Sequence, residues 1–153
     1  MTDMERSAFD ATGDATDPMF ELLEATGDNV VAIRVGTGTP EGYDELYDLL
    51  IEKTREHGSV HVYEETPNWT LSMYLSHLHG VVPDLRSGPE FNIDRYVAVG
   101  DSYWIKLLYY QWKVVAPVWP VDPNEMRLYP TTERQNALEW VTKGSPQTEG
   151  GEN

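Results

Sequence analysis

The chain has 153 residues and a mass of 17.4 kDa, which suits a single domain, and its 40% hydrophobic residues are enough for one core. It has no cysteine, which excludes disulfides, thiol nucleophiles and cysteine-bound metals. The 26 acidic residues outnumber the 11 basic ones, for a net charge of −15. This balance argues against non-specific nucleic-acid binding, which needs a basic surface to displace counterions.

The amino terminus and the hydropathy pattern indicate where the protein resides. Residues 1–6 lack the basic and apolar regions of a signal peptide. No apolar run approaches the roughly 20 residues that a membrane-spanning helix needs. We therefore expect a cytoplasmic protein.

The acidity also bears on the environment of the protein. The chain has four lysines, Lys53, Lys106, Lys113 and Lys143, and many carboxylates. This composition is typical of proteins from salt-accumulating cells, because concentrated salt screens repulsion between acidic groups. We favour a halophilic protein over the alternative, an ordinary acidic cytosolic protein.

Salt is therefore expected to stabilise the fold. Much of the negative charge falls on one side of the first predicted helix, at Asp44, Glu45, Asp48 and Glu52. Screening weakens the repulsion between such neighbours, so the melting temperature should rise from low to molar potassium chloride. Thermal melts across this range test the prediction, and a flat or falling midpoint would contradict it.

Composition divides the chain into a domain and two tails. Residues 1–18 are small and polar, with many aspartates and a single arginine, and they are predicted to be a disordered acidic tail. Residues 144–153 have the same character and are predicted to be a second disordered tail. The folded domain is expected to comprise residues 19–143.

Hydrophobic periodicity and turn residues predict the elements of this domain in the order ββαβαβαβα. The first helix has strong end signals, with Thr39 as N-cap, Pro40 at its first position and Gly58 after its last turn. The second, third and fourth helices are expected to begin near residues 68, 102 and 131. Asp101 is the predicted N-cap of the third helix. The predicted strands lie at 20–26, 30–35, 60–63, 95–99 and 126–129.

Alternating strands and helices indicate an α/β layered domain. Crossover connections make most of such a sheet parallel, whereas the first two strands form a hairpin. The sequence therefore predicts a small sandwich, with a mixed, mostly parallel five-stranded sheet and flanking helices.

Several stretches resemble the SpoIIAA-like family, distant relatives of the STAS domain (sulfate transporter and anti-sigma factor antagonist) that are also described as STAS/SEC14-type domains. The resemblance covers about residues 19–143, and its most specific part is Val-Gly-Asp at 99–101 followed by Trp104. The matching stretches are Phe-Glu-Leu-Leu-Glu at 20–24, Asn-Val-Val-Ala-Ile at 29–33, Trp-Thr-Leu at 69–71, Arg-Tyr-Val-Ala-Val-Gly-Asp at 95–101, Glu-Met-Arg-Leu-Tyr at 125–129 and Ala-Leu-Glu-Trp at 137–140.

The resemblance implies a STAS-like sandwich without established catalytic residues, and a role in carrying nonpolar ligands or associating with membranes. Anti-sigma antagonists of the wider STAS class carry a phosphorylatable serine in an Asp-Ser-x-Gly turn after the third strand. Here the corresponding segment, 64–70, reads Glu-Glu-Thr-Pro-Asn-Trp-Thr, without the serine and the glycine. The phosphoserine switch is therefore not expected.

The segment 102–121 is unusual for so acidic a chain, because it contains six aromatic residues and no acidic one. Its apolar residues cannot all share one helical face. With Trp104, Leu107 and Leu108 toward the sheet, Tyr109 and Trp112 would face outward. That second face needs an apolar partner: a nonpolar ligand, another subunit or a membrane surface. The alternative is ordinary core together with a dimer interface.

The second predicted helix supplies a possible opposite wall, because its start lies near the carboxyl ends of the strands, where α/β sheets bind ligands. Its large, adaptable side chains suit a ligand site, although they could simply cap the core. The candidate ligand-binding residues from the two helices are Trp69, Met73, Leu78, Trp104, Leu108, Tyr109 and Trp112.

Other motifs give weaker signals. The Gly-Thr-Gly-Thr run at 36–39 lacks the third glycine of a phosphate-binding fingerprint and is interpreted as a flexible β–α turn. His77 and His79 would point about 200° apart on a helix, so a metal site is not expected. Glu64, Glu65 and Asp101 fall at adjacent strand ends, where they could share a proton or hold a cation.

The sequence favours a non-enzymatic domain that binds a small nonpolar or lipid-like ligand, and peripheral contact with a membrane is compatible with this function. It contains no paired nucleophile and base, and no cofactor fingerprint. The alternative is a STAS-like interaction or regulatory module that acts as a homodimer. An acid–base enzyme using Glu64 and Asp101 is a weaker third hypothesis. No cofactor, metal or nucleic-acid partner is expected.

Overall fold

A computed structural model describes residues 18–143, so the two predicted tails lie outside the described residues, apart from Pro18. The chain forms a five-stranded sheet in the order β1-β2-β3-β4-β5, with β1 antiparallel to β2 and the other neighbours parallel. This is the predicted α/β class. The strands are Phe20–Leu22, Val30–Val35, Val60–Glu65, Ile93–Val99 and Glu125–Tyr129.

Five α-helices flank the sheet, because the second predicted helix is divided in two by a 3-10 turn, His77–Gly80. The other 3-10 segments are Gly88–Glu90, Ala116–Val118 and Thr131–Glu133. The helices are α1, Pro40–His57; α2, Leu71–Ser76; α3, Val81–Ser87; α4, Tyr103–Val115; and α5, Arg134–Thr142.

The ends of α1 are formed as the sequence predicts. The Thr39 side chain accepts a hydrogen bond from the Gly42 amide at 2.9 Å, and Pro40 occupies the first turn. Gly58 closes the helix at φ 88°, a left-handed conformation that glycine adopts without a steric penalty.

The predicted cap of α4 is wrong. Ser102 caps this helix, and its hydroxyl accepts from the Trp104 amide at 3.0 Å. The Asp101 carboxylate instead accepts from the Thr131 amide at 3.1 Å and from its hydroxyl at 2.6 Å. Asp101 therefore ties the end of β4 to the beginning of the last helical segment.

The two faces of the sheet are covered unequally. Right-handed crossovers that all advance in the same direction place their helices on one face, and the larger hydrophobic cluster there joins the sheet to α1 and α4. On the other face, α5 packs Ala137 and Val141 against Ala32, Tyr63 and Val97. Within residues 18–143 no helix is long and apolar enough to cross a membrane.

Candidate functional site

A cavity of about 280 Å³ lies between the sheet and the helices α1 to α4. This volume is just below the roughly 300–1,000 Å³ of typical ligand sites. Its wall is mainly aromatic and aliphatic, with strand residues such as Val62 and Ile93 on one side and helix residues such as Leu46 and Leu108 on the other. The cavity therefore occupies the thicker layer of the sandwich.

Five of the seven predicted ligand-binding residues line this cavity. They are Trp69, Leu78, Leu108, Tyr109 and Trp112, so both predicted segments contribute to its wall. Met73 packs against the edge of the core without lining the cavity. Trp104 also lies outside the lining and packs against Tyr74, with 5.6 Å between ring centroids.

The predicted orientation of α4 is wrong at three aromatic residues. Trp112, expected on the outer surface, is half-buried against the core and lines the cavity. Tyr109, expected on the outer surface, is 4% exposed and buried with Ile105. Trp104, expected in the core, is only partly buried. Ile105, Leu108, Tyr109 and Trp112 follow the i, i+3, i+4, i+7 spacing of one helical face, which is the face turned to the sheet.

Trp69 and Trp112 are fixed in the cavity wall by hydrogen bonds to the backbone. The Trp69 indole donates to the Val35 carbonyl at 3.0 Å, and the Trp112 indole donates to the Val121 carbonyl at 2.9 Å. Each ring thereby satisfies its one polar group and presents an apolar surface.

Glu64 brings a carboxyl group onto this apolar wall. It lies on β3 and accepts a hydrogen bond at Oε1 from the hydroxyl of Tyr96 on β4. Burial raises the pKa of Glu64, and the hydrogen bond from Tyr96 opposes this change. Among residues 18–143, Tyr96 is the hydrogen-bond partner of Glu64, and the bond goes to Oε1, which leaves Oε2 without a partner there.

A second carboxyl group, that of Asp84 on α3, is fully used by the protein. Its Oδ1 accepts from the Tyr47 hydroxyl and its Oδ2 from the Trp119 indole at 2.8 Å. Burial raises the pKa of Asp84, and both hydrogen bonds oppose this change. Asp84 thus joins α1 and α3 to the segment that follows α4.

His77 connects three segments at the edge of the cavity. Its Nε2 lies 2.8 Å from the Gly36 carbonyl, which can only accept, so Nε2 carries the proton and donates. In the neutral ring Nδ1 is then an acceptor, and the Tyr43 hydroxyl donates to it at 2.5 Å. The ring also stacks on Trp69, with 4.5 Å between centroids.

The surroundings of His77 keep it neutral. Burial lowers its pKa from 6.5 to about 4, assisted by the nearby His79 and opposed by the hydrogen bond to Gly36. The structure therefore gives His77 a positioning role toward Tyr43 and Trp69.

The predicted grouping of Glu64, Glu65 and Asp101 is wrong, because adjacent residues of a strand point to opposite faces. Glu65 lies on the face covered by α5. It accepts from the Tyr63 hydroxyl at 2.7 Å and pairs with Arg134 at 3.1 Å and Arg34 at 3.4 Å. Burial favours the neutral form of Glu65, but these partners together lower its pKa. The three carboxyl groups do not converge on one site.

The turn at residues 36–39, predicted to be flexible, is held in place by α2. The Gly38 amide donates to the Ser76 hydroxyl at 2.7 Å. A side chain at Gly38 would meet the Ser76 carbonyl oxygen at 2.7 Å, so this turn packs closely on α2. In residues 18–143 we find no group of three or more His, Asp or Glu side chains that could hold a metal ion.

The sequence patterns singled out Glu64 and His77 but did not place them in the cavity, although one signal for Glu64 was present. Val60, Val62 and Glu64 alternate along β3, so the pattern that places the valines in the core also places Glu64 there. The partners Tyr96 and Tyr43 lie far away in sequence, and no local pattern connects them to Glu64 or His77.

This combination of a mostly parallel sheet, helices concentrated on one face and a cavity beneath them agrees with the resemblance noted in the sequence. A family model described as SpoIIAA-like matches residues 30–142. The chain therefore belongs to the SpoIIAA-like family, a STAS-related group whose membership supports a regulatory or interaction module of STAS type. Comparisons with curated proteins and with solved structures find no match.

Proposed function

We propose that this protein is a non-enzymatic binding domain that holds a small nonpolar or lipid-like molecule in its cavity. One observation carries the proposal, namely the cavity of about 280 Å³ between the sheet and the helices, which is lined mainly by apolar side chains. Protein interiors are close-packed and contain few voids larger than a water molecule. An apolar void of this size offers a nonpolar molecule contacts that water cannot replace.

The mouth of the cavity supports the same proposal. Leu78, Val81 and Val115 line the cavity and are also 62%, 40% and 42% exposed, so they connect its interior to the surface. Leu75, which is 49% exposed, lies in the neighbouring helix α2. An apolar rim in so acidic a chain suits the transfer of a nonpolar molecule, including transfer from a peripherally contacted membrane.

A fluorescence titration with the uncharged apolar probe N-phenyl-1-naphthylamine tests the proposal. We expect saturable binding of one probe per chain. Leu108→Trp, which fills the cavity, should abolish this binding, because Leu108 lines the cavity wall. Val114→Trp is the matched control, since Val114 lies on the same helix and is 79% exposed.

Failure of the wild-type protein to bind the probe would overturn the proposal, and so would unchanged binding by a folded Leu108→Trp variant. Thermal melts establish whether that variant is folded. Native mass spectrometry of protein purified from its own host adds an independent test, in which a co-purifying nonpolar molecule is expected.

The second candidate function is a STAS-like interaction module that acts as a homodimer without a phosphoserine switch. It is favoured by a separate set of exposed apolar residues outside the cavity lining. These are Tyr110, Val114 and Val118, which are 56%, 79% and 85% exposed. Analytical ultracentrifugation of the wild type and of Val118→Asp distinguishes the two candidates, since a dimer dissociated by Val118→Asp would support the interaction module.

A further inference from the structure

The free hydrogen-bond donors and acceptors of the cavity wall determine which polar group a ligand should contain. Three hydroxyl groups of the cavity wall, those of Tyr43, Tyr47 and Tyr96, are candidate donors to a ligand. Each of them already donates to a protein acceptor. The two tryptophan indoles of the wall, on Trp69 and Trp112, donate to backbone carbonyls. This part of the wall therefore has no proton left to offer.

The strongest free acceptor of the wall, by contrast, is a carboxyl oxygen. Glu64 Oε1 accepts from Tyr96, whereas both oxygens of Asp84 are occupied by Tyr47 and Trp119. Within residues 18–143, Glu64 Oε2 has no hydrogen-bond partner, and Glu64 borders the cavity. Burial in this apolar wall raises the pKa of Glu64, so its ionised form is costly unless a cation or further donors compensate the charge.

We propose that the ligand of this cavity is an amphiphile whose apolar chain ends in a primary amine, with the ammonium group donating to Glu64 Oε2. This inference rests on the proposed function and adds the chemical class of the ligand. The apolar chain would lie along Leu108 and Trp112 toward the mouth at Leu78 and Val115.

Two other head groups fit this geometry less well. An alcohol supplies the donor but does not compensate the charge of Glu64. A carboxylate would place a second negative charge beside Glu64, where the neighbouring hydroxyls have no free protons. The spare donors of the wall are the Tyr109 hydroxyl and the Gln111 amide, and Gln111 lies on the exposed part of α4.

Displacement of bound N-phenyl-1-naphthylamine by octylamine, octanol and octanoate at pH 7.5 tests the inference. Octylamine should compete at least about tenfold better than octanoate, the ratio that one hydrogen bond to a charged group provides, with octanol between them. Glu64→Gln should remove this preference, because the amide keeps the shape of the side chain and loses its charge. Glu45→Gln, on the exposed side of α1, should leave the preference unchanged.

The outcomes separate this inference from the proposed function. If the probe binds and octanoate competes as well as octylamine, or if Glu64→Gln keeps the preference, the inference is wrong and the proposed function stands. An equal affinity for octanol and octylamine would also overturn it, since the charge of Glu64 would then play no part. If the wild-type protein binds no probe, the proposed function itself fails.

Discussion

Tyr109→Ala is expected to lower the free energy of unfolding by about 3–5 kcal/mol, the range for large aromatic side chains removed from a core. Tyr109 is 4% exposed and belongs to the main hydrophobic cluster, together with Ile105 and Tyr96. It also borders the existing cavity, so the space left by the ring would enlarge that cavity. Urea denaturation of the wild type and the variant measures the loss.

Tyr110→Ala is the matched control, because it makes the same chemical change one residue further along α4. Tyr110 is 56% exposed, and its contact with Tyr109 is an edge-to-face arrangement with 5.0 Å between centroids. Losing this contact should cost about 1 kcal/mol or less. Trp104→Ala should fall between the two, because Trp104 is partly buried against Tyr74 and Tyr103. If Tyr109→Ala cost no more than Tyr110→Ala, the orientation of α4 would be wrong.

Acidification from pH 6.5 to 4 is expected to remove up to about 3 kcal/mol of stability through His77 alone, the free-energy equivalent of lowering its pKa from 6.5 to about 4. The sign follows from proton binding. Between these pH values the unfolded chain takes up a proton at His77, and the folded protein does not. Lower pH therefore favours unfolding, whereas above pH 6.5 this residue makes no difference.

His77→Gln isolates this contribution, because glutamine can donate to the Gly36 carbonyl but does not titrate. The difference in unfolding free energy between wild type and variant should shrink as the pH falls from 7 to 4. Carboxyl groups such as Glu64, Asp84 and Glu65 also titrate, but they are present in both proteins. Their contributions to the pH dependence of the unfolding free energy therefore cancel in the difference. A constant difference for His77→Gln would contradict the buried, neutral histidine.

The elements that sequence predicted well are those with strong local signals. The strands with continuous β-branched residues, Val30–Val35 and Ile93–Val99, were located to within two residues. The helix Pro40–His57 begins and ends at its predicted caps, Thr39 and Gly58. In these segments the side chains that determine the local conformation are only a few residues apart, so the pattern is visible in the chain itself.

The first strand was predicted too long. It ends at Leu22 because the chain then turns, and the Thr26 side chain exchanges hydrogen bonds with the backbone of Ala32 at 2.9 Å. The apolar residues Leu23 and Ala25 resemble strand residues in sequence, although they pack with the smaller cluster beneath α5. Propensity alone could not separate a strand from a turn held by a side chain.

The composition and the local patterns of this chain determined its class and the order of its strands and helices. These follow from periodicity and end signals over a few residues. Only the tertiary structure decided which face of α4 meets the sheet, because large apolar residues occur on more than one side of that helix. It also decided that Glu64 meets Tyr96 and that His77 meets Tyr43, since these hydrogen bonds join residues more than 30 positions apart.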